Sequence, residues 1–259
     1  MNTIVKEPNL YDLLYVDVIE DISLYLCIAK KYDDILEFGA GTGRVTIPLA
    51  EDGHNIVAVD IEQAMLDKLQ DKIKYNEYLK NKIRVVKGDM CNYSDKKKYS
   101  CIFIPLTSFN YLLTREEQLS CLKTLKNNLS KDGIAIIELL SEKTFSDTNS
   151  QDELTFIKNL HIDAKKYYQY WRNTVLDMQE RKITQRRVFK LFDGDNQINE
   201  KELIWKNRFV TISDFTNLAN ECGLEIETIY GNCKMKEYNE NSEDVFVKVK
   251  RKVNHESNY

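Results

Sequence analysis

The sequence predicts an α/β protein in which helices cover both faces of a mainly parallel sheet. Apolar strands and amphipathic helices alternate five times within the first 140 residues, which is typical of that class. The first strand runs into a glycine-rich turn that opens a helix. Residues 155–210 break the alternation, because aromatic and β-branched residues dominate there, and they predict antiparallel strands layered onto the sheet.

Each element of the first half follows from residue periodicity or from turn residues. Residues 9–31 predict one helix, because leucine and other apolar residues recur there at helical spacing. Thr114 and Glu117 predict a capping box at the start of a later helix. The predicted strands are 34–38, 55–60, 83–87, 100–105 and 134–140, and the predicted helices between them are 43–52, 62–80 and 114–129.

The second half is predicted to add an antiparallel insertion and then to complete the sheet. The turn sequence DGDN at 193–196 separates two of the insertion's strands. The predicted insertion strands are 165–178, 180–192 and 199–210, followed by a helix at 213–222 and strands at 225–231 and 244–251. We see no low-complexity linker, so a separately folding second domain is not expected.

Composition narrows the classes of function. The 259 residues fit one enlarged domain, and a net charge of −4 disfavours nucleic acid as a partner, because phosphate binding needs a basic face. The six cysteines form no zinc pattern, so no metal is expected, and their scattered thiols indicate the cytoplasm. No apolar run reaches membrane-spanning length, so we expect no membrane partner.

The segment EFGAGTG at 37–43 is the strongest sign of a ligand site. Glycines allow a sharp turn and let a ligand approach the backbone, and the helix start supplies free N–H groups. A dinucleotide site wants G-x-G-x-x-G, whereas the third glycine here comes one residue early. Asp60 ends the second strand, where a carboxylate can accept both hydroxyls of a ribose.

The end of the third strand adds a second pair of candidate ligand contacts. Asp89 can accept from an exocyclic amino group, and Met90 and Ile61 can sandwich a purine ring. Taken singly, the loop could be only a turn and Asp60 only a strand end. The glycine loop, Asp60 and the candidate contacts after the third strand occur together and in order, which argues against that reading. The glycine spacing argues against a dehydrogenase.

Four segments resemble, in order and spacing, the motifs of class I S-adenosylmethionine (SAM)-dependent methyltransferases. The segments are ILEFGAGTGRVTIPLA, VAVDIEQAML, VVKGDM and IFIPLTSFNYLL, within residues 34–140. The resemblance implies a Rossmann-like, seven-stranded, mainly parallel sheet with an antiparallel β insertion after strand five. It also implies SAM as the cofactor.

The resemblance places the methionine part of SAM at Glu37, Gly39 and Gly41, the ribose at Asp60, and the adenine at Ile61, Asp89 and Met90. A backbone carbonyl of Pro105 or Leu106 would meet the methionine ammonium, and Tyr11 and Tyr15 look like a lid helix. The full expected set of cofactor-binding residues is Tyr11, Tyr15, Glu37, Gly39, Ala40, Gly41, Arg44, Asp60, Ile61, Asp89, Met90, Pro105 and Leu106.

Missing motifs narrow the acceptor. The sequence IPLT at 104–107 contains neither the Pro-Pro-Tyr type motif of exocyclic-amine and glutamine methyltransferases nor the Pro-Cys of cytosine C5 enzymes. The segment SFNYL at 108–112, together with the antiparallel insertion, resembles N-methyltransferases that tailor amino sugars, antibiotics and ribosomal peptides. The expected catalytic residues are Asn110, Tyr111 and His161, and the expected substrate-binding residues are Phe109, Asp163, Tyr168, Trp171 and Glu180.

We therefore expect an enzyme of antibiotic biosynthesis that methylates an amine of a small molecule or modified peptide. Asp163 or Glu180 would hold a cationic acceptor, and Trp171 would stack on a guanidinium. The alternatives are a tRNA or protein methyltransferase and a non-catalytic SAM-binding protein. The expected division of the chain is a lid helix at 1–33, a SAM-binding core at 34–140, an acceptor-site insertion at 141–210, the end of the core sheet at 211–252 and a flexible tail at 253–259.

Overall fold

The computed structural model describes residues 6–147 and 150–252, so the predicted tail at 253–259 lies outside the described residues. The helices are α1 (Pro8–Tyr15), α2 (Ile22–Ala29), α3 (Thr46–Glu51), α4 (Gln63–Ile73), α5 (Glu77–Lys82), α6 (Arg115–Asn128), α7 (Glu142–Asp147) and α8 (Ile212–Glu221), with a 3₁₀ helix at Ser108–Tyr111. The strands are β1 (Asp34–Phe38), β2 (Asn55–Asp60), β3 (Ile83–Lys87), β4 (Tyr99–Ile104), β5 (Leu129–Leu140), β6 (Gln151–His161), β7 (Lys166–Asp177), β8 (Lys182–Asp193), β9 (Asn196–Arg208), β10 (Leu224–Tyr230) and β11 (Asp244–Arg251).

Seven strands form the core sheet in the order β10-β11-β5-β4-β1-β2-β3. Strands β1 to β5 pair in parallel, and β11 is antiparallel to both β5 and β10. The predicted fold class is therefore confirmed. Strand order reverses between β1 and β4, which opens a crevice at their carboxyl ends where ligands of such sheets bind.

The core sheet is buried on both faces, as expected for parallel strands covered by helices. Leu36 and Phe38 of β1 point into one apolar cluster, which includes residues of α6 and α8. Ile35 of the same strand points into the other, which includes residues of α2, α3 and α4. Successive side chains of a strand alternate between faces, so β1 reads as a continuous apolar run.

The insertion forms a second, four-stranded antiparallel sheet in the order β6-β7-β8-β9. The strands predicted near 165–178, 180–192 and 199–210 are confirmed as β7, β8 and β9, with small shifts at their ends. Strand β6 was not predicted. Most of its residues are exposed, so its sequence lacks the apolar alternation that marks a half-buried strand.

Two predicted helices are wrong in length, because tertiary contacts and caps break them. The helix predicted at 9–31 divides into α1 and α2, and Arg44 holds the break by donating to Val18 O (2.8 Å) and to the Asp21 carboxylate. The helix predicted at 62–80 divides into α4 and α5. The Asn76 side chain starts α5 by accepting from Leu79 N at 3.1 Å.

Helix α1 packs against the inner face of the second sheet. Leu10 and Leu14 lie in one apolar cluster with Tyr170, Phe189 and Trp205 of that sheet. Helix α1 also contacts the glycine loop, where Thr42 Oγ1 donates to the Asp12 carboxylate at 2.6 Å. Within the described part of the chain, no helix is long and apolar enough to cross a membrane.

The capping box of α6 is confirmed and yields a stability prediction. Thr114 Oγ1 accepts from Glu117 N at 3.2 Å, and the Glu117 carboxylate accepts from Thr114 N at 2.9 Å. We expect Thr114→Ala to lower the free energy of unfolding by about 1 kcal/mol in urea denaturation, because an orphan N–H loses its partner. Thr114→Ser keeps the hydroxyl and is the matched control. Equal stability of the alanine and serine variants would contradict the cap.

Candidate active site

A cavity of about 360 Å³ opens at the carboxyl ends of β1, β2 and β3, with the loop after β4 as a further wall. Eight of the predicted cofactor-binding residues line it, namely Tyr11, Gly39, Gly41, Asp60, Ile61, Asp89, Met90 and Leu106. The predicted catalytic residue Tyr111 also lines it. The sequence analysis did not select the remaining lining residues, which are Val59, Glu62, Met65, Gly88, Cys91, Ser108, Leu112 and Glu117.

The glycine loop shapes one wall of this cavity. Gly39 and Gly41 have φ of +70° and +54°, a region that favours glycine. A Cβ on Gly39 would lie 2.7 Å from Ser108 Oγ, so the loop after β4 can approach only a glycine. A Cβ on Gly41 would meet no atom closer than Met65 Cε at 3.5 Å, and it would project into the cavity space.

Asp60 is held in place by two backbone N–H groups. Gly41 N donates to Oδ2 and Glu62 N donates to Oδ1, both at 2.8 Å. A carboxylate has about four acceptor positions, so one on each oxygen stays available for a pair of ribose hydroxyls. Burial raises the pKa of Asp60, and the two backbone hydrogen bonds oppose that shift. The predicted ribose role is therefore compatible with its position.

Two buried glutamates lie behind the cavity wall. Glu37 accepts from Thr46 Oγ1 at 2.6 Å, and burial raises its pKa to about 8. It does not line the cavity as predicted but lies beneath the loop. Glu138, which the sequence analysis missed, accepts from Leu106 N at 2.7 Å and from Tyr25 OH at 2.9 Å. Burial raises the pKa of Glu138 to about 7.

Glu138 holds an unusual bend after β4. Leu106 and Thr107 both have positive φ, 49° and 53°, which costs free energy in residues other than glycine. The Pro105 carbonyl already accepts from Ser108 N and from Ser108 Oγ, at 3.0 and 2.7 Å. Of the two carbonyls expected to meet the methionine ammonium, only that of Leu106 belongs to a residue that lines the cavity.

Three other predicted cofactor residues lie outside the cavity lining. Arg44 makes two 2.6 Å hydrogen bonds to the Asp21 carboxylate, so its guanidinium is committed to the N-terminal segment. Ala40 is buried in the loop, where its N–H donates to Val59 O at 3.1 Å. Tyr15 does not line the cavity; the centroid of its ring lies 4.7 Å from the ring centroid of Tyr11, which does.

The predicted catalytic residues Asn110 and His161 do not reach the cavity. Asn110 is fully buried; its Nδ2 donates to Arg208 O at 2.8 Å, and its Oδ1 accepts from Leu140 N at 3.1 Å. The amide therefore joins the 3₁₀ helix to β5 and β9, which is a structural task. His161 is exposed at the end of β6, where its ring lies near Tyr167.

The predicted substrate-binding residues are also placed away from the cavity. Asp163 lies exposed in the β6–β7 turn and accepts from Lys165 N and Lys166 N, both at 2.8 Å. Glu180 lies exposed in the β7–β8 turn, where it pairs with Lys182. Short acidic side chains are common in turns because they accept from nearby backbone N–H groups. Neither carboxylate is in position to hold a cationic acceptor at the cavity.

The three aromatic candidates are packing residues. Phe109 is fully buried against Phe215, at 5.5 Å between ring centroids. Tyr168 packs edge-on to Phe189. Trp171 packs against Phe156 and lies beneath the Lys190 ammonium, which is 5.2 Å from the ring centroid.

A stack of aromatic rings joins the cavity to the second sheet. The Tyr111 ring stacks on Trp205 at 5.4 Å, and Tyr15 meets Trp205 edge-on at 6.3 Å. Burial raises the pKa values of Tyr11 and Tyr111, so their hydroxyls stay protonated at neutral pH. The end of the cavity beside Tyr111 can thus align and desolvate a nucleophile, which is the main requirement for transfer from a sulfonium.

The residues that the structure describes include no group of three or more His, Cys, Asp or Glu side chains that could hold a metal ion. Cys91 lines the cavity, but burial and the neighbouring Asp89 raise the pKa of its thiol to about 12. A thiol with that pKa is protonated at neutral pH and is therefore a poor nucleophile. The cavity wall thus supplies no thiolate for a covalent mechanism.

The glycine loop yields a test with a matched control. We expect Gly41→Val to abolish SAM binding in calorimetry, because the side chain would enter the cavity at a positive φ. Gly194→Val imposes a similar backbone strain, since Gly194 has φ +59° and open space around it, but it lies in the β8–β9 turn. The control should keep SAM affinity. Near-normal SAM affinity in Gly41→Val would show that this loop is not the cofactor wall.

The assignment of Asn110 as a structural clamp is also testable. We expect Asn110→Ala to lower the free energy of unfolding by roughly 2–4 kcal/mol, because it leaves buried backbone partners unsatisfied. Asn81→Ala, at an exposed position of α5, should change it by less than about 0.5 kcal/mol. A fully stable Asn110→Ala protein that binds SAM but has lost its turnover would instead support the catalytic role predicted from the sequence.

Part of the chain matches a known protein family. Residues 35–133 match the family described as "Methyltransferase domain". The chain is 20% identical to the putative methyltransferase YqeM of Bacillus subtilis over 84% of this chain and 83% of that protein. It is 22% identical to the cypemycin N-terminal methyltransferase of a Streptomyces species, over 84% and 82% of the two chains.

A solved structure shows the same fold over nearly the whole chain. The S-adenosylmethionine-dependent methyltransferase from Clostridium acetobutylicum superposes with a TM-score of 0.79 at 21% identity, covering 96% of this chain and 98% of the other. The matched segment at 35–133 contains the glycine loop, Asp60, Asp89 and the bend after β4. Residues 35–133 therefore match a methyltransferase domain, and nearly the whole chain has the fold of a SAM-dependent methyltransferase.

Proposed function

We propose that the chain transfers the methyl group of SAM to an amine of a small or peptidic natural product. The observation that carries the proposal is the chemistry beside Tyr111. The hydroxyls of Tyr11 and Tyr111 stay protonated, and no histidine is among the residues that line the cavity. Of the four carboxylates in its lining, those of Asp60 and Asp89 are assigned to the cofactor, and that of Glu117 caps α6. Hydroxyl acceptors need a base or a metal to become nucleophilic, whereas a neutral amine needs only to be aligned and desolvated.

Two further observations support this class of acceptor. The insertion sheet contacts the cavity wall through the Tyr111–Trp205 stack, so aromatic rings border the region that we assign to the acceptor. Such surroundings suit a small or peptidic ligand. The cypemycin N-terminal methyltransferase, a relative aligned over 84% of this chain, bears a name that indicates a peptide N-terminus as its acceptor.

A finer candidate comes from the overall likeness of the chain to bacillus-type plantazolicin methyltransferase, which dimethylates the α-amine of an N-terminal arginine. The carboxylates expected to hold that arginine, Asp163 and Glu180, lie in exposed turns. The plantazolicin assignment therefore rests on likeness alone, and a peptide that begins with arginine is one arm of the test below.

The test is transfer of label from methyl-labelled SAM to a panel of acceptors. The panel contains free amines, amino sugars, short peptides including one that begins with arginine, and RNA, with Gly41→Val as the inactive control. We expect label on the nitrogen of an amine or peptide, located by mass spectrometry. Label on RNA, or binding of SAM without transfer to any acceptor in the panel, would contradict the proposal.

A separate prediction concerns metal dependence. Turnover should be unchanged by EDTA, because the described residues contain no cluster of ligands that could hold a divalent ion. The measurement is the initial rate on the best acceptor with and without the chelator, at saturating SAM. A loss of rate that added magnesium restores would show that a metal takes part.

A further inference from the structure

A row of polar side chains crosses the inner face of the second sheet, and we call it the polar belt. It consists of Arg172 and Thr174 of β7, Gln185 and Arg187 of β8, and Asn207 with the indole N–H of Trp205 on β9. The register places Arg172 opposite Arg187, Thr174 opposite Gln185, and Gln185 opposite Trp205. Because side chains alternate between faces, these residues share one face of the sheet.

Apolar clusters flank the polar belt on both sides. On one side, two residues from Arg172 and Arg187 along their strands, Tyr170 stacks on Phe189 beneath α1. On the other side, two residues from Gln185 along β8, Ile183 packs with Phe145 and Phe209. Between these clusters an apolar residue would be expected at every inward position, so the polar belt is an exception to the pattern of its own sheet.

The polar belt contains a buried cation that has no anionic partner. Arg187 is 7% exposed; its Nε and Nη2 donate to Gln185 Oε1, and its guanidinium lies 3.4 Å from the centroid of the Trp205 ring. Among residues 6–147 and 150–252, no carboxylate is within ion-pair distance of Arg187 or of the adjacent Arg172. Buried charges are normally paired, because desolvation is costly.

The polar belt also contains two buried donors without acceptors. Trp205 Nε1 and Asn207 Nδ2 have no hydrogen-bond partner among the residues that the structure describes, although both side chains are more than nine-tenths buried. The Arg187 guanidinium, Trp205 Nε1 and Asn207 Nδ2 are all donors, and no side chain of the polar belt carries negative charge. Buried polar groups are nearly always satisfied, so such a cluster indicates a ligand that supplies the missing acceptors.

The polar belt adjoins the cavity through Trp205. That ring stacks on Tyr111, which lines the cavity, and the Asn110 clamp fixes the neighbouring 3₁₀ helix to Arg208 at the end of β9. The residues of the polar belt do not line the cavity themselves, and the Trp205 ring contacts both Tyr111 and the Arg187 guanidinium. A ligand that places its nucleophile beside Tyr111 would reach Arg187 by passing the Trp205 ring. The Arg187 guanidinium also lies near the Tyr15 hydroxyl, on the same side as α1.

We propose, on the basis of the amine methylation proposed above, that the polar belt binds a carboxylate group of the methyl acceptor. A guanidinium fork flanked by single N–H donors matches the planar geometry of a carboxylate. The acceptor is then an amine that carries an acid group, such as an amino acid or a peptide, and not an uncharged amino sugar. A cationic acceptor group would meet Arg187 and Arg172 unfavourably.

Binding can be measured without turnover through Trp205. The chain has two tryptophans, so Trp171→Phe leaves Trp205 as the sole indole fluorophore. With S-adenosylhomocysteine bound, this variant is titrated with acetate, with phosphate and with chloride at constant ionic strength. We expect a saturable fluorescence change with acetate. A change with phosphate but not acetate, or no saturable change with either anion, would overturn the carboxylate assignment.

Substitutions locate the binding group. In the same background, Arg187→Gln should raise the acetate concentration at half-saturation at least about tenfold. Arg186→Gln is the matched control, because Arg186 directly precedes Arg187, is exposed, and pairs with Glu202 at 2.7 Å. Its titration should match that of the parent. An unchanged response in Arg187→Gln would overturn the proposal.

A second variant tests the same site without removing the cation. Gln185→Glu replaces the amide oxygen that accepts from Arg187 Nε and Nη2 with a carboxylate, so it should raise the melting temperature while abolishing the acetate response. A lower melting temperature together with an intact acetate response would contradict the proposal. This variant keeps the test decisive if Arg187→Gln folds poorly.

Turnover separates this inference from the function on which it rests. Peptides with a free C-terminal carboxylate are compared with the same peptides as amides, and the free acids should have the lower KM. Equal KM values for acid and amide would overturn the carboxylate site while leaving amine methylation intact. If no amine is methylated, the proposed function fails, whereas the fluorescence titration still decides whether the polar belt binds a carboxylate.

Discussion

The hydrogen bond from Gly41 N to the Asp60 carboxylate connects two of the strand ends that line the cavity we assign to the cofactor. Gly41 follows β1 and Asp60 ends β2, so this contact fixes the height of the loop above the sheet edge. The contact requires a positive φ at Gly41 and a carboxylate that burial and two N–H donors hold in one orientation. The neighbouring walls, including Ser108 beneath Gly39, are built against that loop.

The end of the cavity beside Tyr111 depends on contacts between segments that are distant in sequence. Asn110 bonds to Arg208, 98 residues away, and Tyr111 stacks on Trp205. Through these contacts the antiparallel sheet is positioned over the carboxyl ends of β4 and β5. The core sheet thus lines the cavity that we assign to the cofactor, while the insertion supplies the surface that we propose to recognise the acceptor.

Local patterns explain which features could be predicted from the sequence. The strands of the core sheet are short apolar runs, and the capping box at Thr114 and Glu117 is complete within four residues. The glycine loop and Asp60 likewise lie at strand ends that periodicity can locate. These features were predicted because each depends on neighbours along the chain.

The acceptor end of the cavity could not be predicted in the same way, because it depends on strand register. Asp163 and Glu180 were selected for their charge, but both lie in turns at the ends of β-hairpins. Arg187 and Asn207 become candidates only when the pairing of β8 with β9 puts them on one buried face. Asn110 was selected because its segment, 108–112, resembles that of tailoring N-methyltransferases, whereas its amide joins backbone groups.

The most direct test of this account is a crystal structure of the chain with S-adenosylhomocysteine bound. The account predicts both ribose hydroxyls within hydrogen-bond distance of the Asp60 carboxylate, the adenine between Ile61 and Met90, and the sulfur facing Tyr111. A ribose that does not contact Asp60, or a sulfur that points away from Tyr111 and the second sheet, would contradict it.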